Sequence, residues 1–380
     1  MKKIGILSVR TINYGSILQS YALQYAVGKI DKNNEIINYQ KTNIIRQLIR
    51  LLYLPLFFDS CVKAKDMLYK RIFRPDLIAF ETKKNKAFQR FINSFLIYGQ
   101  LFKGRTRLIR GTKETYRMVI LGSDQVWHPF NYGAHFFDMS FIPSSVKKVA
   151  YAPSFGVSTL PAYQRRHMAK CIENIDYLSV RENSGRDLIK KLTGREAVVV
   201  TDPTLLLTKE EWNKVKAQRM IEEKYIFCYF LGKNIKHRAF ANKLSERTGY
   251  KIVTLPHNCG IIKADWKFGD IIPEGVGPAE FVSLIANAEY VCTDSFHGSV
   301  FSIIFERNWF TFPRFEESKM STNSRILSLF QNLGVKDRFT PSDAQITPDM
   351  LEDMDFSEIT KRLTAFRAES FKFLKESIEA

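Results

Sequence analysis

The sequence has few cysteines, and none is spaced for a disulfide framework or a zinc ribbon. Cys61, Cys171, Cys228, Cys259 and Cys292 are odd in number, far apart and without a Cys-x-x-Cys pair. Reduced thiols in a cytoplasmic protein are the expectation, and a disulfide-stapled scaffold is excluded. Long apolar runs are missing too. The longest, residues 48–58, is broken by Arg50 and Pro55 and falls short of the ~20 residues a bilayer span needs. The opening MKKIGILSV is basic, but its apolar stretch stops too early for a secretory signal, so no leader is expected. The GxGxxG, P-loop, GxSxG, HExxH and kinase signatures are absent, as are RNP-like runs and zinc-finger spacings. No nucleic-acid partner is expected. His257-Asn258-Cys259 is the one tight His/Cys pair and brings no further ligands in sequence, so neither metal nor organic cofactor is expected. Acidic residues are the scarcer charge, 39 against 57 Lys and Arg, which leaves a net +18 to explain.

What is present is ordinary folded-protein chemistry. The 380 residues are 45% hydrophobic, with 30 Phe, enough to build a large core without staples. Length predicts two domains. Residues 3–9 read as a strand, Asn13-Tyr14-Gly15 as a turn, and Ile17, Leu18, Tyr21, Ala22 and Tyr25 as one helix face. Strands at 35–39, 117–122, 148–151, 177–180 and 197–201 alternate with helices over residues 1–207. A second alternation starts near Lys224 and fills 223–335, with strands at 225–231, 251–255, 290–293 and 309–312. This is an α/β pattern with parallel sheets covered on both faces. The polar segment 208–222 reads as the boundary, and 336–380 as a helical C-terminal segment. Residues 41–117 carry 18 Lys and Arg against 5 Asp and Glu. Their apolar positions recur at helical intervals, which predicts long basic helices inserted into the N-terminal domain.

Ligands of doubly wound folds bind beyond the C-terminal ends of strands, next to helix N-termini. Four loops stand there: Asn13-Tyr14-Gly15, Gly122-Ser123-Asp124, Asp202-Pro203 and Thr293-Asp294-Ser295-Phe296-His297-Gly298. In the last, Asp294 or Ser295 can cap a helix whose first turn favours an anion. His297 reads either as a general acid or base near neutral pH or as a buried helix-start residue. Ser123 and Asp124 read as cleft-lining groups or as a strand-end turn, and the Asn13 loop is weighed the same way. Asp202 reads as a cleft group or a strand terminator. Arg181, directly after an apolar strand, reads as an anion clamp or as the partner of Glu182 or Asp187. Arg314, Arg325 and Arg338 follow the last strand.

The ordered set of these pieces resembles the polysaccharide pyruvyl transferase family. The matching residues are Ile6-Leu-Ser-Val9, Asn13-Tyr-Gly-Ser-Ile-Leu-Gln19, Tyr21-Ala-Leu-Gln24, Leu121-Gly-Ser-Asp-Gln-Val-Trp127 and Tyr151-Ala-Pro-Ser-Phe-Gly156. Leu178-Ser-Val-Arg-Glu182, Asp202-Pro-Thr-Leu-Leu206 and Thr293-Asp-Ser-Phe-His-Gly298 complete it. The resemblance spans about residues 4–335. It implies two Rossmann-like domains facing a cleft, as in GT-B glycosyltransferases. It also implies transfer of pyruvate from phosphoenolpyruvate onto two hydroxyls of a sugar in a bacterial cell-surface polysaccharide or exopolysaccharide precursor. His297 matches the histidine of the family's C-terminal motif, and Arg181 an arginine placed near the donor. The expected donor contacts are Arg181, Ser295, Gly298 and Arg325. The expected acceptor or cleft residues are Asn13, Tyr14, Gly15, Ser123, Asp124, Asp202 and Asp294.

One position departs from the family. Where characterised members carry Arg two residues before the histidine, this chain has Ser295, and Arg325 is the candidate replacement. Two alternatives therefore stand beside the ketal-forming reaction: a GT-B-type glycosyltransferase using a nucleotide sugar, and a catalytically inert scaffold in polysaccharide assembly. The charge map adds a location. Thirteen of the 18 excess charges fall in residues 41–117, outside nearly every motif. The expectation is a cytoplasmic protein, peripheral at the inner membrane face, whose basic helices meet anionic lipid where a lipid-linked oligosaccharide acceptor is presented.

Overall fold

In the computed structural model, residues 1–40, 73–131, 135–256, 265, 267–314, 323–335 and 337–380 are described. The first domain is built on seven parallel strands: β1 (Lys3–Leu7), β2 (Asn34–Gln40), β3 (Tyr98–Lys103), β4 (Tyr116–Leu121), β5 (Lys147–Ala150), β6 (Tyr177–Val180) and β7 (Val198–Val199). Their spatial order is β3-β2-β1-β4-β5-β6-β7. The second domain has four parallel strands, β8 (Tyr225–Tyr229), β9 (Lys251–Thr254), β10 (Tyr290–Thr293) and β11 (Asn308–Thr311), in the order β11-β10-β8-β9. Central strands such as β4 and β10 are near-continuous apolar runs because both their faces are covered.

Chain order reverses at one place in each sheet, between β1 and β4 and between β8 and β10. These switch points open crevices at strand C-termini. The loops that matter follow β1, β4, β8 and β10.

Helix α1 (Tyr14–Gly28) starts where Asn13 Oδ1 accepts the Ser16 N–H at 3.3 Å. Thirteen of its 15 residues are buried, because it is wedged between the two domains. Its Tyr14 stacks on Phe281 at 4.6 Å, and Tyr21 meets Trp212, which in turn meets Phe301 edge-on at 4.9 Å. One hydrophobic core therefore runs through both domains. The boundary segment 208–222 begins with a short helix, Lys209–Asn213, closed by a Thr208/Glu211 capping box, and Trp212 is fully buried.

The basic insertion is not purely helical. Within 73–117, α2 (Pro75–Phe95) and α3 (Arg105–Thr115) flank strand β3, which forms the sheet edge beside β2. An edge strand has one open side, so YGQLFK needs no apolar alternation and gives no strand signal. The first half of the expected insertion, 41–72, lies outside the described residues. The strand expected at 197–201 shrinks to Val198–Val199. Helices α4 (Ala162–Glu173) and α5 (Asn183–Thr193) cover the first sheet. Helices α6 (Ile235–Thr248), α7 (Pro278–Ala286) and α8 (Phe296–Ile304) belong to the second domain. A helix not expected from sequence, α9 (Ser324–Leu333), buries Ile326, Leu329, Phe330 and Leu333 at helical spacing.

The C-terminal segment returns to the first domain. Helix α10 (Ser357–Glu379) sends the Ser370 hydroxyl to accept the Thr201 N–H at 2.9 Å. Its Arg367 Nε donates to Leu205 O at 2.7 Å, and Ile378 O accepts from Arg117. Among the described residues no helix is long and apolar enough to cross a membrane.

Candidate active site

Six chain segments meet where the two switch points face each other. From the first domain come the α1 N-terminus, the β4 loop, the end of β6 and the Asp202 turn. From the second come the α8 N-terminus and α9.

Asp202 is the hub on the first side. Its Oδ2 accepts from Arg181 Nη1 at 2.6 Å and from Ser123 Oγ at 2.9 Å. Its Oδ1 accepts from the Thr204 N–H at 3.0 Å and from Thr204 Oγ1 at 2.7 Å. Burial alone would raise its pKa, but His297, Arg181 and Thr204 outweigh it and hold the carboxylate well below its ordinary range. Asp202 was not foreseen as the main partner of Arg181; of the two weighed, Glu182 keeps a looser ion pair and Asp187 is corrected. Glu182 stands 4.0 Å from Arg181 Nε, and its Oε1 is occupied by the Ser154 hydroxyl and the Phe155 and Gly156 N–H groups. Asp187 pairs with Arg186.

Asp124 lies at the end of β4 with φ 78°, in the left-handed region that non-glycine residues rarely adopt. Its Oδ2 accepts from Ser16 Oγ at 2.6 Å. Burial would raise its pKa, but Arg181, His297, the Ser16 hydroxyl and Arg325 prevail and lower it.

His297 enters from the second domain on α8. Ser295 caps that helix, its Oγ accepting the Gly298 N–H at 3.4 Å. The imidazole lies against Gly15 on one side and toward Asp202 on the other, with Nε2 3.8 Å from Asp202 Oδ1. Gly15 is the price of that approach: a Cβ there would stand 2.5 Å from His297 Cε1 and 2.6 Å from Cγ. Gly15→Ala is expected to cost about 1–3 kcal/mol by forced displacement of the ring. Chemical denaturation of the variant against the parent checks it; equal midpoints and slopes would show that the ring is not wedged there.

Two guanidiniums meet one ring next to this histidine. Arg181 Cζ lies 4.4 Å from the Phe296 centroid and Arg325 Cζ 5.7 Å from it. Arg325 is buried on α9, and burial, with Arg181 and Arg314 nearby, pushes its pKa down to about 9. Arg181 Nε and Nη2, Arg325 Nε, Arg314 Nε and His297 Nε2 are all buried without a hydrogen-bond partner among the described residues. Unmade buried bonds of charged donors are costly. Two of these guanidiniums clustered over Phe296, beside His297, suit an oxyanion.

The structure thus brings Gly15, Ser123, Asp124, Arg181, Asp202, His297 and Arg325 together. It places other expected residues elsewhere. Tyr14 is 2% exposed inside the interdomain core, its hydroxyl donating to Val276 O at 3.1 Å, and does not line a cleft. Asp294 faces the β8 loop, its two oxygens accepting the Leu231 and Gly232 N–H groups at 2.6 and 2.7 Å. Asn13 and Ser295 are helix caps. Gly298 spends its N–H on Ser295, and its missing side chain lets α8 approach β10: a Cβ would stand 3.0 Å from Thr293 Cβ. Ser16 and Thr204 were missed, because a hydroxyl inside a helix or turn carries no sequence signal of its distant partner.

Comparison with known proteins follows this geometry. A structure described as a UDP-N-acetylglucosamine 2-epimerase from Listeria monocytogenes shares 9% identity and a TM-score of 0.50, covering 97% of both chains. That likeness is one of fold: two Rossmann-like domains around a cleft. Methanocaldococcus jannaschii UDP-GlcNAc 2-epimerase aligns at 13% identity and TM-score 0.46, over 96% of this chain and all of that one. Acinetobacter baumannii MurG aligns at 9% and 0.44, over 100% of this chain and 99% of that one. No curated protein sequence matches the chain. The model of one family, polysaccharide pyruvyl transferase, matches residues 13–314, from the cap of α1 to the arginine after β11. The chain belongs to the polysaccharide pyruvyl transferase family.

Proposed function

We propose that the protein transfers the pyruvyl group of phosphoenolpyruvate onto two hydroxyls of a sugar, with His297 as general acid and base. The observation that carries this reading is the set of buried, unpartnered cationic nitrogens around His297. Phosphoenolpyruvate presents a carboxylate and a phosphate on one small carbon frame. Arg181, Arg325 and Arg314 supply donors from two directions, and Arg325 takes the place of the arginine that Ser295 lacks. Planar guanidiniums suit both groups through paired hydrogen bonds.

The proton traffic balances on one histidine. His297 takes the proton of the first sugar hydroxyl as that oxygen adds to C2, and delivers it to C3, which becomes the methyl group. The second hydroxyl then adds at C2 as the C2–O bond to phosphate breaks, and its proton leaves with the phosphate. Asp202, 3.8 Å from Nε2, holds the imidazolium between the two steps. The acceptor is a sugar of a polysaccharide precursor, in our reading a lipid-linked oligosaccharide. Incubation with phosphoenolpyruvate and a panel of hexosides is expected to release phosphate only when donor and acceptor are both present. Release that ignores the acceptor would overturn the transferase reading.

A second reading rests on closure. Arg181, His297 and Arg325 are 5%, 7% and 6% exposed, so the cluster is shut, as an inert scaffold's would be. Thermal unfolding separates the readings, and the nucleotide-sugar alternative with them. Phosphoenolpyruvate at 100 times its Kd is expected to add about 2.7 kcal/mol of stability. Stabilisation by a nucleoside diphosphate alone would favour the glycosyltransferase; no stabilisation by either would favour the scaffold.

The exposed residues around α2, β3 and α3 support a membrane-side location. Phe73, Ile97, Leu101 and Ile109 are exposed there beside Lys103, Arg105 and Arg107. Each basic residue near an anionic surface contributes about 1 kcal/mol. Flotation with phosphatidylserine vesicles is expected to fall steeply as salt rises; binding indifferent to salt and lipid charge would remove the membrane from the proposal.

A further inference from the structure

Away from the His297 cluster, three metal-ligating side chains converge on one point. His135 Nδ1 lies 2.9 Å from Asp138 Oδ2, and His167 Nε2 lies 3.0 Å from the same oxygen. Cys171 Sγ is 3.5 Å from His167 Nε2 but does not share the point where the other three meet. His167 and Cys171 are four residues apart on α4, so both project from one helix face. His135 and Asp138 come from the loop before β5. They line a cavity of about 40 Å3 with His167, Trp127, His128 and Gln164, room for one ion with a water.

The three side chains suit corners of one tetrahedral set. Nitrogen and oxygen ligands at ~2.1 Å from zinc stand ~3.3 Å apart. The two distances to Asp138 Oδ2 are 2.9 and 3.0 Å, so metal entry there needs shifts of a few tenths of an ångström. The carboxylate is held ready. Asp138 Oδ1 accepts from the Ser140 N–H at 3.0 Å and from Ser140 Oγ at 2.8 Å, which leaves Oδ2 for the ligand side. Arg105 Nη1 fixes the loop from outside by donating to His135 O at 2.9 Å.

We propose that His135, Asp138 and His167 form a zinc-type site, its fourth position open to water, that ties the loop before β5 to α4. Two imidazoles and one carboxylate suit zinc or another first-row transition ion rather than magnesium or calcium. Zinc there would also order the β4 loop, since Val126 and Trp127 wall the same cavity.

The test is titration of the EDTA-stripped full chain with Co2+, followed by displacement with Zn2+. One equivalent of Co2+ is expected to give the intense visible bands of a tetrahedral site. Asp138→Asn, which keeps the side chain's shape, and His167→Ala are each expected to weaken binding at least ten-fold, with far-ultraviolet circular dichroism confirming the fold. Cys171→Ser and His257→Ala, the latter at the pair singled out by sequence spacing, are expected to bind like the parent. Absence of stoichiometric binding, or bands unaltered in Asp138→Asn, would overturn the site. A ten-fold loss of binding in Cys171→Ser would overturn the three-ligand set.

Discussion

His297→Ala is expected to lower phosphoenolpyruvate-dependent pyruvyl transfer by roughly 10²- to 10⁴-fold, the range for removing a general acid or base. Donor affinity should change far less, because Arg181, Arg325 and Arg314 still hold the anion. The variant also relieves crowding at Gly15, so folding should survive. Initial rates of phosphate release, with phosphoenolpyruvate-induced thermal shift on the same preparations, separate the two effects. A variant with the parent's rate would remove His297 from the chemistry. A variant that loses both rate and thermal shift would place His297 in binding instead. His297→Gln is the informative companion: it retains bulk and hydrogen-bonding groups but does not titrate, so it should be as slow as alanine.

Arg181→Ala is expected to carry the largest stability effect, about 3–5 kcal/mol, because it leaves the Asp202 carboxylate buried without its charge partner. Both side chains are essentially inaccessible, at 2% and 0%. Solvent cannot repair the loss. Chemical denaturation measures it, and a loss below about 1 kcal/mol would show that Asp202 does not depend on Arg181. The double variant Arg181→Leu with Asp202→Asn should recover much of the stability while remaining inactive. Acid gives an independent reading. The folded pKa of Asp202 lies below its unfolded value of about 3.9, so its contribution is fully present above pH ~5 and fades as pH falls through the folded pKa. In Asp202→Asn that part of the acid sensitivity should be gone.

Local patterns in the sequence carried the fold, and long-range pairings stayed out of reach. The β10–α8 segment was legible because an apolar run, a capping serine and the first helical turn are neighbours in the chain. Six of the seven strands of the first sheet were legible as alternation, but the edge strand β3 was not, since it buries almost nothing. Arg181 could be singled out by its place after β6. Its partner Asp202 could not, because the two meet only when β6 and β7 pair. Tyr14 shows the opposite error. It sits inside a motif, yet its aromatic ring serves the domain interface, and motif membership does not distinguish packing from contact with a ligand. Helix α9 was readable from Ile326, Leu329, Phe330 and Leu333. Asn323, a residue type favoured at N-caps, marks its start in the sequence, although its side chain makes no cap bond to the helix. His167 was hidden because about thirty residues separate it from His135 and Asp138, and only the fold brings the three together.

The return of α10 sets an order of events during synthesis. Ser370 supports Thr201, and Thr201 precedes the Asp202 that Arg181, Ser123 and Thr204 all bond. The first domain leaves the ribosome well before its final supporting helix has been made. Domains generally fold as they emerge, N-terminal first, but this one must wait for α10 before the backbone beside its central carboxylate is secured. A nascent chain stalled short of residue 357 would hold both sheets and still lack the brace under its own site. A chain cut before α10 would therefore have the right outline and a loosened centre.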